Sequence, residues 1–116
     1  MRKRIESYIP KAVDAIQSTG IAQNGKVPRQ FNGYVSSFAA SVRQAGLVPT
    51  VLFFTAQTDR TEADRGKIVE AIETILGQPI VDGRGRQNRA VTRDMVDDAA
   101  TALKLAVRTF TLVDKE

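Results

Sequence analysis

The fold is decided by the stretch Asn32-Gly-Tyr-Val-Ser-Ser-Phe-Ala-Ala-Ser-Val-Arg-Gln-Ala-Gly-Leu-Val-Pro-Thr-Val-Leu-Phe-Phe54. Its apolar residues recur every three or four positions, which is the period of one helix face. Gly46 stands where a left-handed cap ends a helix, and Leu47 supplies the apolar partner of such a cap. Pro49 favours the first turn of a new helix. We predict a second helix over 32–45 and a short third helix from Pro49, apolar nearly all round and therefore the most buried element.

The segments before this stretch also have a helical period. Ile5, Ile9, Val13 and Ile16 form a stripe that predicts a first helix over about 4–19, with Gly20 as its stop. Pro10 inside the pattern means that the helix kinks there or that its main part begins there. Residues 21–29 are predicted to form a loop around Asn24-Gly25, with a tight hairpin as the alternative.

The segments after it complete a bundle. Asp59 followed by Glu62 predicts the capped start of a fourth helix that Gly77 and Pro79 end. Residues 78–91 are predicted to be a mobile loop, and a last helix should run from a Thr92 cap to about Leu112. We expect one all-α domain over 1–116, an antiparallel helical bundle of about five helices. Phe38→Ala or Leu52→Ala should then cost roughly 2–5 kcal/mol as changes in the core.

The composition argues against most catalytic chemistry. The 116 residues include no histidine and no cysteine, which removes the commonest general base, thiol nucleophiles and the usual zinc ligands. We therefore expect a protein that is not an enzyme and needs no cofactor or metal. The basic start lacks an apolar signal core, and the run from Val48 to Phe54 is too short to span a membrane. These features predict a soluble cytoplasmic protein.

The positive charge is concentrated in the first half of the chain. Residues 1–58 carry seven Lys or Arg and two acids, whereas residues 59–116 carry ten and eleven. A one-sided basic field is typical of proteins with a polyanionic partner, nucleic acid or an acidic protein surface. A solvated face that serves solubility is the alternative.

The carboxylates and the glycine-arginine loop are weaker candidates. A divalent cation could be bound by Glu70 with Glu73 or by the cluster Asp94, Asp97 and Asp98. Both groups lie on the polar side of amphipathic helix patterns, which favours solvated surfaces. The stretch 82–86 lacks the Gly-Lys-Ser/Thr ending of a nucleotide-binding loop. Arg84, Arg86 and Arg89 could still bind phosphates by charge.

The predicted second helix carries small residues opposite its apolar stripe, namely Gly33, Ser36, Ser37, Ala40 and Ser41. Arg43 and Gln44 stand at the end of this face, and Lys26 and Arg29 precede the helix. A smooth surface edged by cations suits a sugar-phosphate backbone. Tight helix packing explains the small residues equally well.

The segment from Ser36 to Phe54 resembles the small helical subunit of the type III-B CRISPR effector, the Cmr complex. The family carries a helix that ends in a basic residue and Gly-Leu, followed by a short hydrophobic helix. The family's last helix often carries a Trp-Leu pair, whereas this chain has Arg108-Thr-Phe110. The resemblance implies a non-catalytic subunit that stacks with copies of itself and other subunits and contacts the guide and target RNA in antiviral defence.

The resemblance also ranks the candidate contacts. Arg43 matches the family's basic position before Gly-Leu and is the first candidate for an RNA contact. Lys26 and Arg29 follow on charge and position, and Lys11 and Lys67 are weaker. The expected mechanism is recognition of shape and phosphate, because the guide supplies sequence specificity by pairing. A DNA-binding regulator, an assembly module without nucleic-acid contact and an enzyme that uses carboxylates remain alternatives.

Overall fold

The computed structural model describes residues 2–56 and 60–114, and in this part of the chain it confirms the all-α prediction. The helices are α1 (Arg2–Ser18), α2 (Gln30–Ala45), α3 (Leu47–Thr55), α4 (Arg60–Leu76) and α5 (Arg93–Val107). Two short strands, β1 (Lys26–Pro28) and β2 (Thr111–Val113), complete the described elements. None of the described helices is both long enough and apolar enough to cross a membrane.

Local signals place several helix ends correctly. Gly46 takes φ +98°, and its amide donates to the carbonyl of Val42 at the end of α2. Thr92 caps α5, since its side chain accepts from the amide of Met95 at 3.1 Å. The first helix runs without interruption past Pro10, so its main part does not begin there. The predicted cap at Asp59 lies outside the described residues, as does the side chain of Glu62.

The region 21–29 is not only a loop, and the last helix is shorter than predicted. Asn24 and Gly25 have φ of 55° and 74°, which makes the two-residue turn of the alternative hairpin. After the turn, β1 pairs in parallel with β2, with Val27 opposite Leu112. The helix ends at Val107 because the next amides bond three residues back, as in Arg108 to Leu105. Leu112 therefore lies in a strand and not in α5.

The short third helix corrects the prediction of burial. It begins at Leu47, directly after Gly46, and Pro49 does lie in its first turn. Its inner face is buried, and Phe54 packs edge-on against Phe38 with ring centroids 5.3 Å apart. Leu52, however, is 53% exposed. The helix is half-exposed because it lies at the edge of the bundle, against α2 and α4, so Leu52→Ala removes no core contact.

The stretch 78–91 is anchored at both ends. Ile80 and Val91 are almost completely buried, and the Ile80 amide donates to the Glu73 carboxylate at 2.8 Å. Asn88 donates through Nδ2 to the carbonyl of Pro79, also at 2.8 Å. These contacts hold the base of the loop on the bundle, while 83–87 are exposed. The predicted mobility of this stretch stays a prediction.

Candidate nucleic-acid interface

Arg43 lies on the wall of a groove between α2 and α5, which we call the α2–α5 groove. The groove encloses about 260 Å³ and is lined by Val35, Ser36, Ala39, Arg43, Ala100, Thr101, Lys104, Leu105 and Arg108. The α2 residues 36, 39 and 43 share one helix side, as do the α5 residues 101, 104 and 105 with Arg108 at the C-cap. The packing of α2 on α5 therefore creates the groove.

Two hydrogen bonds join the walls of this groove. Near one end, Arg93 donates through Nη2 to the carbonyl of Val42 at 2.8 Å. Near the other, Lys104 Nζ donates to Ser36 Oγ at 2.6 Å. The Val42 carbonyl also accepts from the Gly46 amide at 3.0 Å, so the bond from Arg93 is its second. The bonds from Arg93 and Lys104 both connect α5 to α2, and they add to the packing of the two helices that forms the groove.

Three cationic side chains meet at the α2–α5 groove. Arg43 is 69% exposed and lies 3.9 Å from the Asp97 carboxylate, an ion pair between exposed groups that contributes little. Lys104 occupies the last turn of α5 and Arg108 its C-cap position, where the helix dipole favours positive charge. Among the described residues, a carboxylate pairs with Arg43, whereas none pairs with Lys104 or Arg108. The groove therefore presents a net positive surface.

Lys104 and Arg108 were missed by the sequence prediction, which favoured the basic first half of the chain. A signal was available, because Lys104 and Arg108 are four residues apart and share one helix face. The sequence could not show that these two cations lie near Arg43, because Lys104 and its partner Ser36 are 68 residues apart in the chain. Only the packing of α5 on α2 brings these cations together.

The small-residue face of α2 has two uses. Ser36 accepts from Lys104 in the groove, and Ser41 shares a 2.7 Å hydrogen bond with the buried hydroxyl of Thr50 on α3. These contacts support the packing interpretation for two of its members. Gly33 and Ser37 remain exposed, as does Gln44 in the last turn. A smooth outer strip on α2 thus borders the groove.

The other predicted cations lie outside this groove. Lys26 and Lys67 share a second hollow of about 350 Å³ between β1 and α4, where Lys67 lies 3.9 Å from Asp64. Arg29 donates through Nε to Asp114 at 3.2 Å, between two exposed side chains. Lys11 is exposed on α1. The structure thus brings Lys26 together with Lys67 but joins neither to Arg43.

The glycine-arginine loop is organised around one carboxylate. Asp82 accepts from the backbone amides of Arg86 and Arg84 and lies 3.4 Å from the Arg86 guanidinium. These hydrogen bonds, the one from the Arg86 amide above all, hold the pKa of Asp82 below its ordinary value. Arg86 is therefore partly neutralised within the loop, whereas Arg84 is exposed.

One acid departs from the expected solvated surface. Asp98 is 2% exposed and accepts from Arg4 Nη1 of α1 at 3.1 Å. This pair joins α1 to α5 and has a structural role. The described residues contain no group of three or more acids arranged to hold a metal ion.

Comparison with known proteins supplies the identity of the family. No curated protein and no solved structure matches the chain. One family does match, described as CRISPR-associated protein (Cas_Cmr5), over residues 4–112. The matched range includes all of the described elements from α2 to α5 and most of α1. The chain therefore belongs to the Cas_Cmr5 family and is a small subunit of a CRISPR Cmr complex.

Proposed function

We propose that this chain is the non-catalytic small subunit of a type III-B effector, that it stacks with copies of itself and other subunits, and that its α2–α5 groove contacts the guide and target RNA backbone. The complex would act in antiviral defence in the cytoplasm. The observation that carries the RNA contact is the convergence of Arg43, Lys104 and Arg108 on one groove. Family membership supports the role as a subunit.

The groove has the chemistry that a phosphodiester needs. An arginine side chain can bind a phosphate with two parallel hydrogen bonds, and a lysine adds a point charge. The hydroxyl of Thr101, also on the groove wall, already donates to the carbonyl of Asp97 at 3.0 Å, so the cations supply the donors for a phosphate. The apolar floor formed by Val35 and Ala39 carries no sequence-reading groups. Such a surface recognises the backbone and leaves sequence specificity to base pairing.

Salt dependence tests the RNA contact. Three neutralised phosphates on single-stranded RNA predict a slope of about −2 in the logarithm of affinity against that of salt. Affinity should then fall about 20-fold between 50 and 200 mM salt. Fluorescence anisotropy of the purified chain with a labelled RNA strand measures this, and a parallel gel should show the RNA intact, as expected of a non-catalytic protein.

A matched pair of variants locates the contact. Arg108 makes no ion pair with a described residue, so Arg108→Gln removes a charge without breaking a contact of the fold. The salt-induced loss should shrink to about 7-fold, because one of three counterion terms disappears. Arg84→Gln makes the same chemical change outside the groove and should retain the 20-fold loss. Equal behaviour of the two variants would refute the groove as the contact site.

An assembly module without nucleic-acid contact is the second candidate. It is favoured by the hydrogen bond from Lys104 to Ser36, which engages one of the three cations inside the protein. In that case the isolated chain shows no RNA affinity at 50 mM salt, yet still enters the complex. A preference for one duplex-DNA sequence in the same assay would instead indicate a regulator.

A further inference from the structure

The turn before β1 carries an exposed Asn-Gly pair in a defined conformation. Gln23 and Lys26 exchange both backbone hydrogen bonds, at 2.9 and 3.1 Å, so Asn24 and Gly25 form a two-residue hairpin turn. Their φ values of 55° and 74° are those of a type I′ turn. Among the described residues, Asn24 is the one non-glycine residue with positive φ. The hairpin therefore holds this asparagine in the left-handed region.

The peptide unit between Asn24 and Gly25 is free of hydrogen bonds to the described residues. Neither the Asn24 carbonyl nor the Gly25 amide has a partner there, whereas the next carbonyl, that of Gly25, accepts from the Thr111 amide at 3.1 Å. A flip of this one unit converts a type I′ turn into a type II′ turn. Both types close a two-residue hairpin, so the flip keeps the pairing of Gln23 with Lys26.

The flipped turn brings the Gly25 nitrogen to the side chain of Asn24. In a type II′ turn the first central residue has φ of about +60° and ψ of about −120°. At this ψ the next nitrogen eclipses Cβ, which is the geometry that a succinimide ring requires. The φ of 55° at Asn24 already fits that turn, and Gly25 has no Cβ to obstruct the attack. Ring closure therefore requires only the flip of an unbonded peptide unit.

We propose that Asn24 is a site of spontaneous deamidation in the folded protein, and that its products place a new carboxylate beside Lys26 and Lys67. The Gly25 nitrogen bonds to Asn24 Cγ and the Cγ–Nδ2 bond breaks. Nδ2 leaves as ammonia with the proton that the Gly25 nitrogen gives up. Water then opens the succinimide, its hydroxyl going to a carbonyl carbon and its proton to the ring nitrogen. Opening at Cγ gives aspartate, and opening at the backbone carbonyl gives isoaspartate.

Both products change the hollow between β1 and α4. Asn24 lines this hollow together with Lys26 and Lys67. A carboxylate in place of the neutral amide lowers the positive charge of the hollow, and the formal net charge of the chain falls by one from +4. Isoaspartate also adds a methylene group to the main chain inside a turn whose type depends on its length. The proposal is independent of the RNA contact at the α2–α5 groove.

A second Asn-Gly pair in the same chain serves as an internal control. Asn32 and Gly33 lie in the first turn of α2. The Asn32 amide donates to the Arg29 carbonyl at 3.1 Å, and the Asn32 carbonyl accepts from Ser36 Oγ at 3.3 Å. The φ of Asn32 is not positive, and at negative φ a ψ of about −120° lies outside the allowed regions. Ring closure at Asn32 therefore requires the start of α2 to unwind.

Peptide mass spectrometry tests the proposal, because trypsin places the two pairs in separate peptides, 12–26 and 30–43. The intact folded chain is incubated in mildly alkaline buffer, and the mass increase from exchanging an amide nitrogen for oxygen is followed with time. Asn24 should react at least tenfold faster than Asn32. In concentrated urea the two rates should agree within about twofold, since both pairs then lie in unfolded chain. Labelling by an isoaspartate methyltransferase identifies the rearranged product.

Two matched variants assign the charge change to its site. Ion-exchange chromatography of the incubated chain should resolve a more acidic species. Asn24→Gly keeps a residue that accepts positive φ and should abolish this species, whereas Asn32→Ala should retain it. Thermal unfolding shows that each variant folds. Equal rates at the two sites in the folded chain would refute the proposal. A tenfold difference that persists in urea would assign the selectivity to the flanking sequence and overturn the argument from the turn.

Discussion

The two aromatic residues that hold α3 on the bundle permit a sharp stability test. Phe38 is fully buried and lies edge-on to Phe54 at 5.3 Å, so Phe38→Ala leaves a cavity and removes the aromatic pair. The expected cost is about 3–5 kcal/mol. Leu52, on the outer side of α3, keeps 53% of its surface in water. Leu52→Ala should therefore cost less than about 0.5 kcal/mol.

These free energies convert into a measurable difference in melting temperature. A domain of this size shifts by about 4 °C per kcal/mol, so Phe38→Ala should melt about 12–20 °C below the unaltered protein. Leu52→Ala should stay within about 2 °C of it. Urea unfolding at one temperature, followed by circular dichroism, gives the free energies directly. A cost for Leu52→Ala that equals that of Phe38→Ala would show that the outer face of α3 is part of the core.

Two further predictions concern carboxylates. Arg4→Ala leaves the buried Asp98 without its cation and should lower the free energy of unfolding by about 1–3 kcal/mol. The cost is smaller than for a fully buried pair because the Arg4 side chain is 40% exposed. Urea unfolding measures this cost, and no measurable loss would mean that water replaces Arg4. The pKa of the Asp82 carboxyl, measured by NMR titration, should lie below its ordinary value of 3.8, because the Arg86 and Arg84 amides stabilise the charged form. The ionised Asp82 carboxylate therefore stabilises the fold above its unfolded-state pKa, and this contribution is lost as the pH falls through its folded-state pKa. A titration midpoint of Asp82 at or above the ordinary value would contradict its hydrogen bonds to the loop amides.

The helices themselves follow from local information. The three- and four-residue period of apolar side chains predicts α2 and α4, and Gly46 and Thr92 mark helix ends through their own backbone or side-chain chemistry. The end of α5 at Val107 could not be predicted from the sequence, because the apolar stripe continues through Phe110 to Val113. The pairing of Leu112 with Val27 overrides that stripe, and this competition between helix and strand depends on a distant segment.

The burial of α3 could not be predicted from its composition. Val51, Leu52, Phe53 and Phe54 are all apolar, and no periodicity distinguishes an inner from an outer side. The position of α3 at the edge of the bundle decides that Val51 and Phe54 are inside. The consequence is an apolar outer face, on which Leu52 and Phe53 are exposed.

The sequence by itself determined that the chain is a helical domain with a basic first half, since periodicity, caps and charge are properties of neighbouring residues, and the resemblance to the family placed Arg43 first among the candidate contacts. The tertiary structure alone decided which cations lie together. Lys104 and Arg108 join Arg43 because α5 packs against α2, whereas Lys26 and Lys67 meet in a separate hollow. A binding surface depends on the relative placement of elements, and that placement results from the packing of the whole core and not from any one segment.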